Sequence, residues 1–341
     1  MIGIRVDANT EIASGHVMRC FSIAHAMKNV GTECIFITAD ESSNQIVSSN
    51  GFEAICLHSQ WNNLDREIEP LISLIREFKI DKLIIDSYYV TKEYFSQLME
   101  HTKVVYIDDL NLFQYPISMI VNYNIYYERF CYPELYSETD TRLLLGCDYA
   151  PLRAEFKLAT QSYREEVKKV LITTGGTDNY NVAGKLLKKI VEENLFRGIE
   201  FHVVVGAFNI HIDYIEKLIE NNKHIRIYKN VKKISKLMKD CDIAITAGGS
   251  TMYELCACGT AAICFSFADN QLYGVKGFEE EDLMYYAGDM RDSDIDCIAN
   301  IILFIQKYIE NPKLRKDRIV NTRRKVDGCG AERLINAVVN L

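Results

Sequence analysis

The sequence predicts an α/β protein of two Rossmann-like domains with an interdomain cleft. Three observations lead there. Short β-branched runs alternate with amphipathic stretches through both halves. The runs are apolar throughout, which marks strands covered on both faces of a parallel sheet. The length, 341 residues, exceeds what one core comfortably serves.

In the first half the runs are Ile2–Val6, Glu33–Thr38, Lys82–Asp86, Lys103–Ile107 and Met119–Asn122. In the second they are Lys169–Thr174, Phe201–Gly206, Ile225–Lys229, Asp242–Ala247 and Ala261–Phe267. Helical periodicity falls between them at Val17–Asn29, Leu71–Phe78, Val182–Asn194, Ile212–Asn221 and Ile234–Lys239. Two such sets predict two doubly wound domains. The break falls in Pro151–Val167, where A-P-L-R-A-E-F-K-L gives way to T-Q-S-Y-R-E-E. The expected division is residues 1–155, residues 156–320, and a helical tail over 321–341 near the domain junction.

A net charge of −8 argues against nucleic acid, which wants a basic face. It leaves room for a phosphorylated ligand, because a local site can be amide-rich on an acidic protein. Several of the eleven cysteines sit inside apolar runs, as Cys34 and Cys264 do, and read as reduced, buried thiols. No apolar run reaches 18 residues, and no charged segment with an apolar stretch precedes the first strand. The expectation is a cytoplasmic protein without an integral membrane segment; the oligomeric state is not legible.

Ligands of open α/β sheets bind beyond the carboxyl ends of the strands, so the residues that follow strands are the candidates. Three segments qualify. The first is Arg5 to Arg19, where a loop of small residues leads to Gly15–His16 and a helix. A helix N-terminus favours an uncharged imidazole, and such a ring accepts a proton from water as a general base. The competing reading is a histidine that caps the loop. His25, His58, His101, His202, His211 and His224 are assigned surface or core roles.

The second segment is T-T-G-G-T-D-N-Y-N over Thr173–Asn181. Gly175 and Gly176 let backbone amides approach an anion; a plain turn is the alternative. The third is A-G-G-S-T-M-Y-E over Ala247–Glu254. Gly248, Gly249, Ser250 and Thr251 place amides and hydroxyls at a helix start, a diphosphate cradle that needs no metal. Glu254, one turn on, is placed to accept from ribose hydroxyls; an N-cap with an ordinary helical glutamate is the alternative. Asn270 and Gln271 follow the next strand.

Cofactor motifs are missing. Gly184–Lys185 lacks the P-loop spacing from Gly176, and Leu186 stands where Ser or Thr is required. No G-x-G-x-x-G follows the first strand. Cys256 and Cys258 form a C-x-C without a second ligand pair, so no metal is assigned. Asp108–Asp109 after a strand suits a Mg²⁺ ion or a sugar, but a capping acidic pair is the more common case.

Taken in order, further pieces join these segments: R-x-D and S-G-H-V-M-R-C at the start, D-S-Y-Y at Asp86–Tyr89, Asp108–Asp109, V-N-Y-N at Val121–Asn124, G-C-D-Y-A-P-L-R-A-E-F at Gly146–Phe156, G-G-T-D at Gly175–Asp178 and D-G-C-G-A-E-R at Asp327–Arg333. The set resembles the UDP-sugar hydrolases of pseudaminic acid biosynthesis and the related spore-coat polysaccharide proteins, the PseG/SpsG family. The resemblance spans nearly the whole chain and implies a GT-B-like fold. It implies a UDP-2,4-diacetamido-2,4,6-trideoxy-L-altrose substrate, His16 as base, diphosphate on Gly248–Thr251, ribose on Glu254, uracil at the backbone near Asn230–Val231, and Gln271 toward the sugar or α-phosphate. Asp7, Tyr88 and Asp109 are candidates for orienting the sugar or the base. The family has I-G-x-G-H where this chain has Ile12-Ala13-Ser14-Gly15-His16; a glycine there that needs φ > 0 makes Ala13 strained.

The expected activity is metal-independent hydrolysis of a UDP-sugar, by attack of water at the anomeric carbon with inversion. Three rivals stay open: a GT-B glycosyltransferase using a UDP-amino sugar, a UDP-sugar 2-epimerase, and a non-catalytic UDP-sugar binding protein.

Overall fold

The computed structural model describes residues 1–8, 15–157, 163–206, 208–220 and 222–341. Ala13 lies outside the described residues. The chain divides into two compact units, residues 1–154 with 328–341, and residues 155–327.

The first unit holds seven strands: β1 Ile2–Val6, β2 Cys34–Thr38, β3 Ala54–Cys56, β4 Lys82–Asp86, β5 Lys103–Ile107, β6 Met119–Asn122 and β7 Arg142–Leu145. They form one sheet in the order β3-β2-β1-β4-β5-β6-β7, and every pairing is parallel. The second unit has β8 Lys169–Thr173, β9 Glu200–Val205, β10 Ile225–Lys229, β11 Ile243–Ala247, β12 Ala261–Ser266 and β13 Tyr285–Asp289, ordered β10-β9-β8-β11-β12-β13 and again wholly parallel. The chain is thus an α/β protein of two parallel-sheet domains.

Three strands escape the sequence reading. The three residues of β3 are all half-buried, β7 opens on an exposed arginine, and β13 carries a glycine in Y-Y-A-G-D. Each lies at or beside a sheet edge, where a strand is covered less and its apolar signal fades.

Helices cover both faces. In the first unit Leu71, Ile72, Ile75, Phe95 and Leu98 pack on Ile35, Ile37, Leu83, Ile85 and Val104. The helix Gly15–Asn29 buries Val17, Cys20, Phe21, Ile23, Ala24 and Met27. In the second, Val182, Leu186, Leu187 and Ile190 pack with Val170, Ile172, Val203 and Ile245. The helix Gly330–Val339 returns to the first unit, beside the helix Gly15–Asn29. Its first residue must be glycine, because a Cβ on Gly330 would meet the Ala150 oxygen at 2.2 Å. Among the described residues no helix is long and apolar enough to cross a membrane, and none of the eleven cysteines is in a disulfide.

Beneath the first sheet's carboxyl edge lies a buried ionic cluster. Arg5 Nε and Nη2 grip Glu67 at 2.6 and 2.8 Å, and Nη1 donates to Asp7 at 2.5 Å. Tyr94 and Ser59 supply two more hydrogen bonds to Glu67. Removing one partner of such a set leaves a charge buried and uncompensated. Glu67→Ala is therefore expected to destabilise the first unit by about 3–5 kcal/mol, read in urea unfolding, whereas Lys188→Ala in an exposed pair with Glu192 changes stability by less than about 0.5 kcal/mol.

Candidate active site

In a doubly wound sheet, the strands on either side of the point where the order reverses send their following loops apart and leave a crevice. In the first unit the reversal falls between β1 and β4. The helix that follows β1 carries His16 in its first turn, and β4 ends on Asp86. The topology alone therefore brings residue 16 to residue 86.

The side chains complete the contact. His16 Nδ1 is hydrogen-bonded to Asp86 Oδ1. Asp86 has no solvent exposure, and its second partner is Arg19, three residues along the helix from His16, whose Nε and Nη2 reach Oδ2 and Oδ1 at 2.6 Å each. Burial pushes the Asp86 carboxyl up, but the charge of Arg19 and the hydrogen bonds from Arg19 and His16 outweigh it and hold the group well below the usual carboxylate range. An ionised carboxylate only accepts hydrogen bonds, so Nδ1 carries the proton and, in the neutral ring, Nε2 keeps its lone pair. Arg19 Nη2 lies 3.2 Å from Nδ1, the two donors sharing one carboxylate oxygen.

Asp109, just after β5, is the next shell of the same set. It accepts from Arg19 Nη1 at 2.9 Å, from Tyr88 Oη at 3.0 Å and from Asn124 Nδ2 at 2.8 Å. Arg19 Nη1 also donates to Tyr123 Oη at 3.0 Å. The Tyr88 ring meets the His16 ring edge to face at 4.6 Å between centroids and 79° between planes. Burial, then Asp109, push the Tyr88 phenol far above its ordinary value, so it stays a neutral donor. His16 is thus held in plane by Tyr88 and in position by Asp86, with its side chain 12% exposed. Two carboxylates against one guanidinium leave one net negative charge beside the ring, which suits an imidazolium formed during reaction.

The structure sorts the other sequence candidates of this unit. Asp7 belongs to the ionic cluster: it binds Arg5 with one oxygen and the Ala39 amide with the other, and it takes no part in the His16 set. The Asp108–Asp109 pair splits. Asp108 is saturated by the amides of Leu110 and Asn111 and the hydroxyls of Tyr115 and Tyr132, so it serves the loop, and Asp109 alone faces the site. Residues with no role assigned from the sequence are Asp86, Arg19, Tyr123 and Asn124. The available signals are the place of Asp86 at the end of the strand beside β1, and the i, i+3 spacing of His16 and Arg19.

In the second unit the reversal falls between β8 and β11, so Gly175–Gly176 and Gly248–Thr251 flank one crevice. The two glycine turns differ. After β8, Asp178 already accepts from the Val182 and Ala183 amides, so the following helix is capped from within the chain. After β11, Ser250 makes no side-chain cap on the helix Thr251–Cys258, and Gly249 and Ser250 are exposed. The Met252 and Tyr253 amides donate to the Gly249 and Ser250 oxygens at 3.0 Å each, and the helix dipole places partial positive charge at this turn. Gly248 is not among the available donors: its amide donates to the Phe265 oxygen at 2.8 Å. Glycine is needed there for space, since a Cβ would meet Val275 Cγ1 at 2.6 Å and Gln271 Cβ at 3.1 Å.

That contact seats Gln271 against the glycine turn, with its Oε1 accepting from the Phe267 amide. Asn270 is exposed in the first turn of the helix Asp269–Glu280, Glu254 is half-buried one turn into its helix, and Val231 follows the end of β10, just past Asn230, whose φ is +53°. All these positions share the carboxyl edge of one parallel sheet.

No protein-family model matches the chain. Four curated relatives align with it, three of which follow. An uncharacterized protein of Methanocaldococcus jannaschii, MJ1062, is 28% identical over 265 residues, which cover 74% of this chain and 53% of that protein, so the chain spans about half its length. The spore coat polysaccharide biosynthesis protein SpsG of Bacillus subtilis is 24% identical over 98% of this chain and 96% of its own. The UDP-2,4-diacetamido-2,4,6-trideoxy-beta-L-altropyranose hydrolase of Campylobacter jejuni is 23% identical over 76% of this chain and 90% of its own. Among solved structures, Acinetobacter baumannii MurG matches with a TM-score of 0.73 at 9% identity, over 100% of this chain and 99% of that one. The UDP-GlcNAc 2-epimerase of Neisseria meningitidis matches with a TM-score of 0.68 at 12% identity, over 100% of both chains. The fold is GT-B-like, and the resemblance to the PseG/SpsG family agrees with the names of relatives that are 23–24% identical over most of the chain.

Proposed function

We propose that the chain is a UDP-sugar hydrolase that releases UDP and a 2,4-diacetamido-2,4,6-trideoxyhexose of the L-altrose type, in pseudaminic acid or related surface-polysaccharide biosynthesis. The observation that carries the reading is the His16–Asp86 pair, which presents a fixed imidazole with Nε2 as an acceptor. The names of the Campylobacter and Bacillus relatives support the substrate class and the pathway. Thiols without disulfides suit a cytoplasmic enzyme.

In this reading the residues take the following roles. The diphosphate rests on the amides of Gly249, Ser250 and Thr251, the ribose on Glu254, the uracil near Val231, and Gln271 faces the sugar or α-phosphate. Gly175 and Gly176 border the nucleotide. His16 Nε2 takes a proton from water as the water oxygen bonds to the anomeric carbon. The bond from that carbon to the β-phosphate oxygen breaks, and its electron pair leaves with UDP. Attack and departure lie on opposite faces, so the anomer inverts. Amides aimed at the departing phosphate supply the stabilisation that a metal gives elsewhere, worth several kcal/mol in comparable sites, so the reaction uses neither metal nor cofactor. Asp86 fixes the ring tautomer and, with Asp109, stabilises the imidazolium. Tyr88 holds the ring plane.

Three outcomes follow from these roles. His16→Ala is expected to lower kcat by about 10²–10⁴-fold while UDP affinity, measured by calorimetry, stays within a factor of about two; hydrolysis at wild-type speed would refute the mechanism. Asp86→Asn is expected to lower kcat over the same range with KM little changed, because the nucleotide contacts lie in the other unit. In H₂¹⁸O the label is expected in the released sugar; label in UDP means attack at phosphorus. The glycosyltransferase alternative is separated by the same assay, since UDP release without any acceptor is expected only of the hydrolase.

A further inference from the structure

A second cluster of chemistry-bearing side chains stands on the first unit, outside the His16 set. Glu41 is the first residue of the helix Glu41–Ser49 that follows β2, Cys56 ends β3, and His58 comes two residues later. Cys56 Sγ lies 3.5 Å from His58 Nδ1, and His58 Nδ1 lies 3.8 Å from Glu41 Oε1. One ligand atom from each residue falls within 4.8 Å of the others, the only such trio of metal-ligating side chains among the described residues.

The backbone builds this convergence. Residues two apart on a strand share a face but stand about 6.6 Å apart. His58 adopts a left-handed conformation, φ +53°, which a residue with a side chain holds only where its surroundings fix it. That kink folds the imidazole back onto Cys56. The β2–β3 ladder continues past β3 through Leu57 N to Thr38 O at 2.8 Å and Ser59 N to Ala39 O at 2.9 Å. Those bonds fasten residues 57–59 to the turn that starts the Glu41 helix. The helix start is itself set by Asp40, whose carboxylate accepts from the Ser43 amide at 2.7 Å.

We infer that Glu41, Cys56 and His58 form a binding site for a thiophilic divalent cation, zinc by the chemistry of its donors. A thiolate, an imidazole and a carboxylate suit zinc and exclude calcium and magnesium, which want oxygen alone. On one tetrahedral zinc, with Zn–S of about 2.3 Å and Zn–N of about 2.0 Å, a sulfur and a nitrogen stand roughly 3.5 Å apart and a nitrogen and an oxygen roughly 3.3 Å. The first spacing is already present, and the second needs only a rotation of the exposed Glu41 side chain. Three protein donors leave the fourth position to water. Binding releases the Cys56 proton, and the metal then ties the exit of β3 to the turn after β2. Glu41, arriving from a separate element, pairs with His58 and brings the third donor type to the same point. The site is independent of the proposed hydrolysis, and neither reading depends on the other.

The test is a titration of the reduced, full-length chain with Co²⁺, then with Zn²⁺. The expected result is a saturable thiolate-to-cobalt charge-transfer absorption at one ion per chain, bleached by Zn²⁺, absent in Cys56→Ser and retained in Cys34→Ser. His58→Ala and Glu41→Gln are expected to weaken Co²⁺ binding by at least the roughly 10–100-fold that loss of a supporting contact costs. All three positions lie at the surface or half-buried, so the variants fold, as circular dichroism would show. No saturable band in the wild type, a band that survives Cys56→Ser, or unchanged affinity in Glu41→Gln each overturns the inference.

Discussion

Asp86 is a carboxylate sealed from solvent between an imidazole and a guanidinium. A lone buried carboxylate would take up a proton, and its site would collapse into a neutral hydrogen bond. Arg19 prevents this by meeting both oxygens side-on, the geometry in which a guanidinium matches a carboxylate best. With Asp86 ionised, the His16 tautomer is decided. With Arg19 engaged, its remaining nitrogen binds Asp109 and Tyr123, and Asp109 in turn binds Tyr88 and Asn124. Among the described residues, Tyr88, Asp109, Tyr123 and Asn124 are linked to the imidazole through that one ion pair.

The second unit solves a different problem with the same architecture. Its strand order also reverses once, but the residues beside the reversal are glycines and a serine rather than a titrating pair. At one glycine turn the following helix is capped by its own aspartate; at the other the residue before the helix makes no side-chain cap. The uncapped turn is the one whose first residue packs so tightly on Gln271 and Val275 that the path of the backbone is fixed before any ligand arrives. Under the proposed function, proton transfer and anion binding fall to separate units, each built on the reversal point of its own sheet.

The central strands were legible because they are buried on both faces and read as unbroken apolar runs. The short edge strands were not, because a half-covered strand carries half the signal. His16 and the Gly248–Thr251 turn were legible for a topological reason: both follow strands that flank a reversal. Asp86 closed an apolar run and looked like its polar end, and Arg19 looked like one more charge on an amphipathic helix. Their roles are relations between residues roughly 70 positions apart in the numbering, which no local pattern displays. The same limit hid the fate of Asp7, placed beside Arg5 by strand spacing but committed to a cluster that Glu67 completes. Glu41, Cys56 and His58 were missed because no motif joins a helix start to a strand end fifteen residues later.

The first unit is discontinuous in the chain. Its covering helix, residues 330–339, seats Gly330 on the Ala150 backbone and hands Arg142 a carbonyl from Ala337. The second unit, residues 155–327, is one unbroken stretch. On the ribosome the second unit therefore has all its parts first. The Gly15–Asn29 helix keeps one flank bare until residues 328–341 have been made and have cleared the exit tunnel. Only in the last step, while residues 328–341 are added, is the half bearing the glycine turns complete and the half bearing the imidazole not.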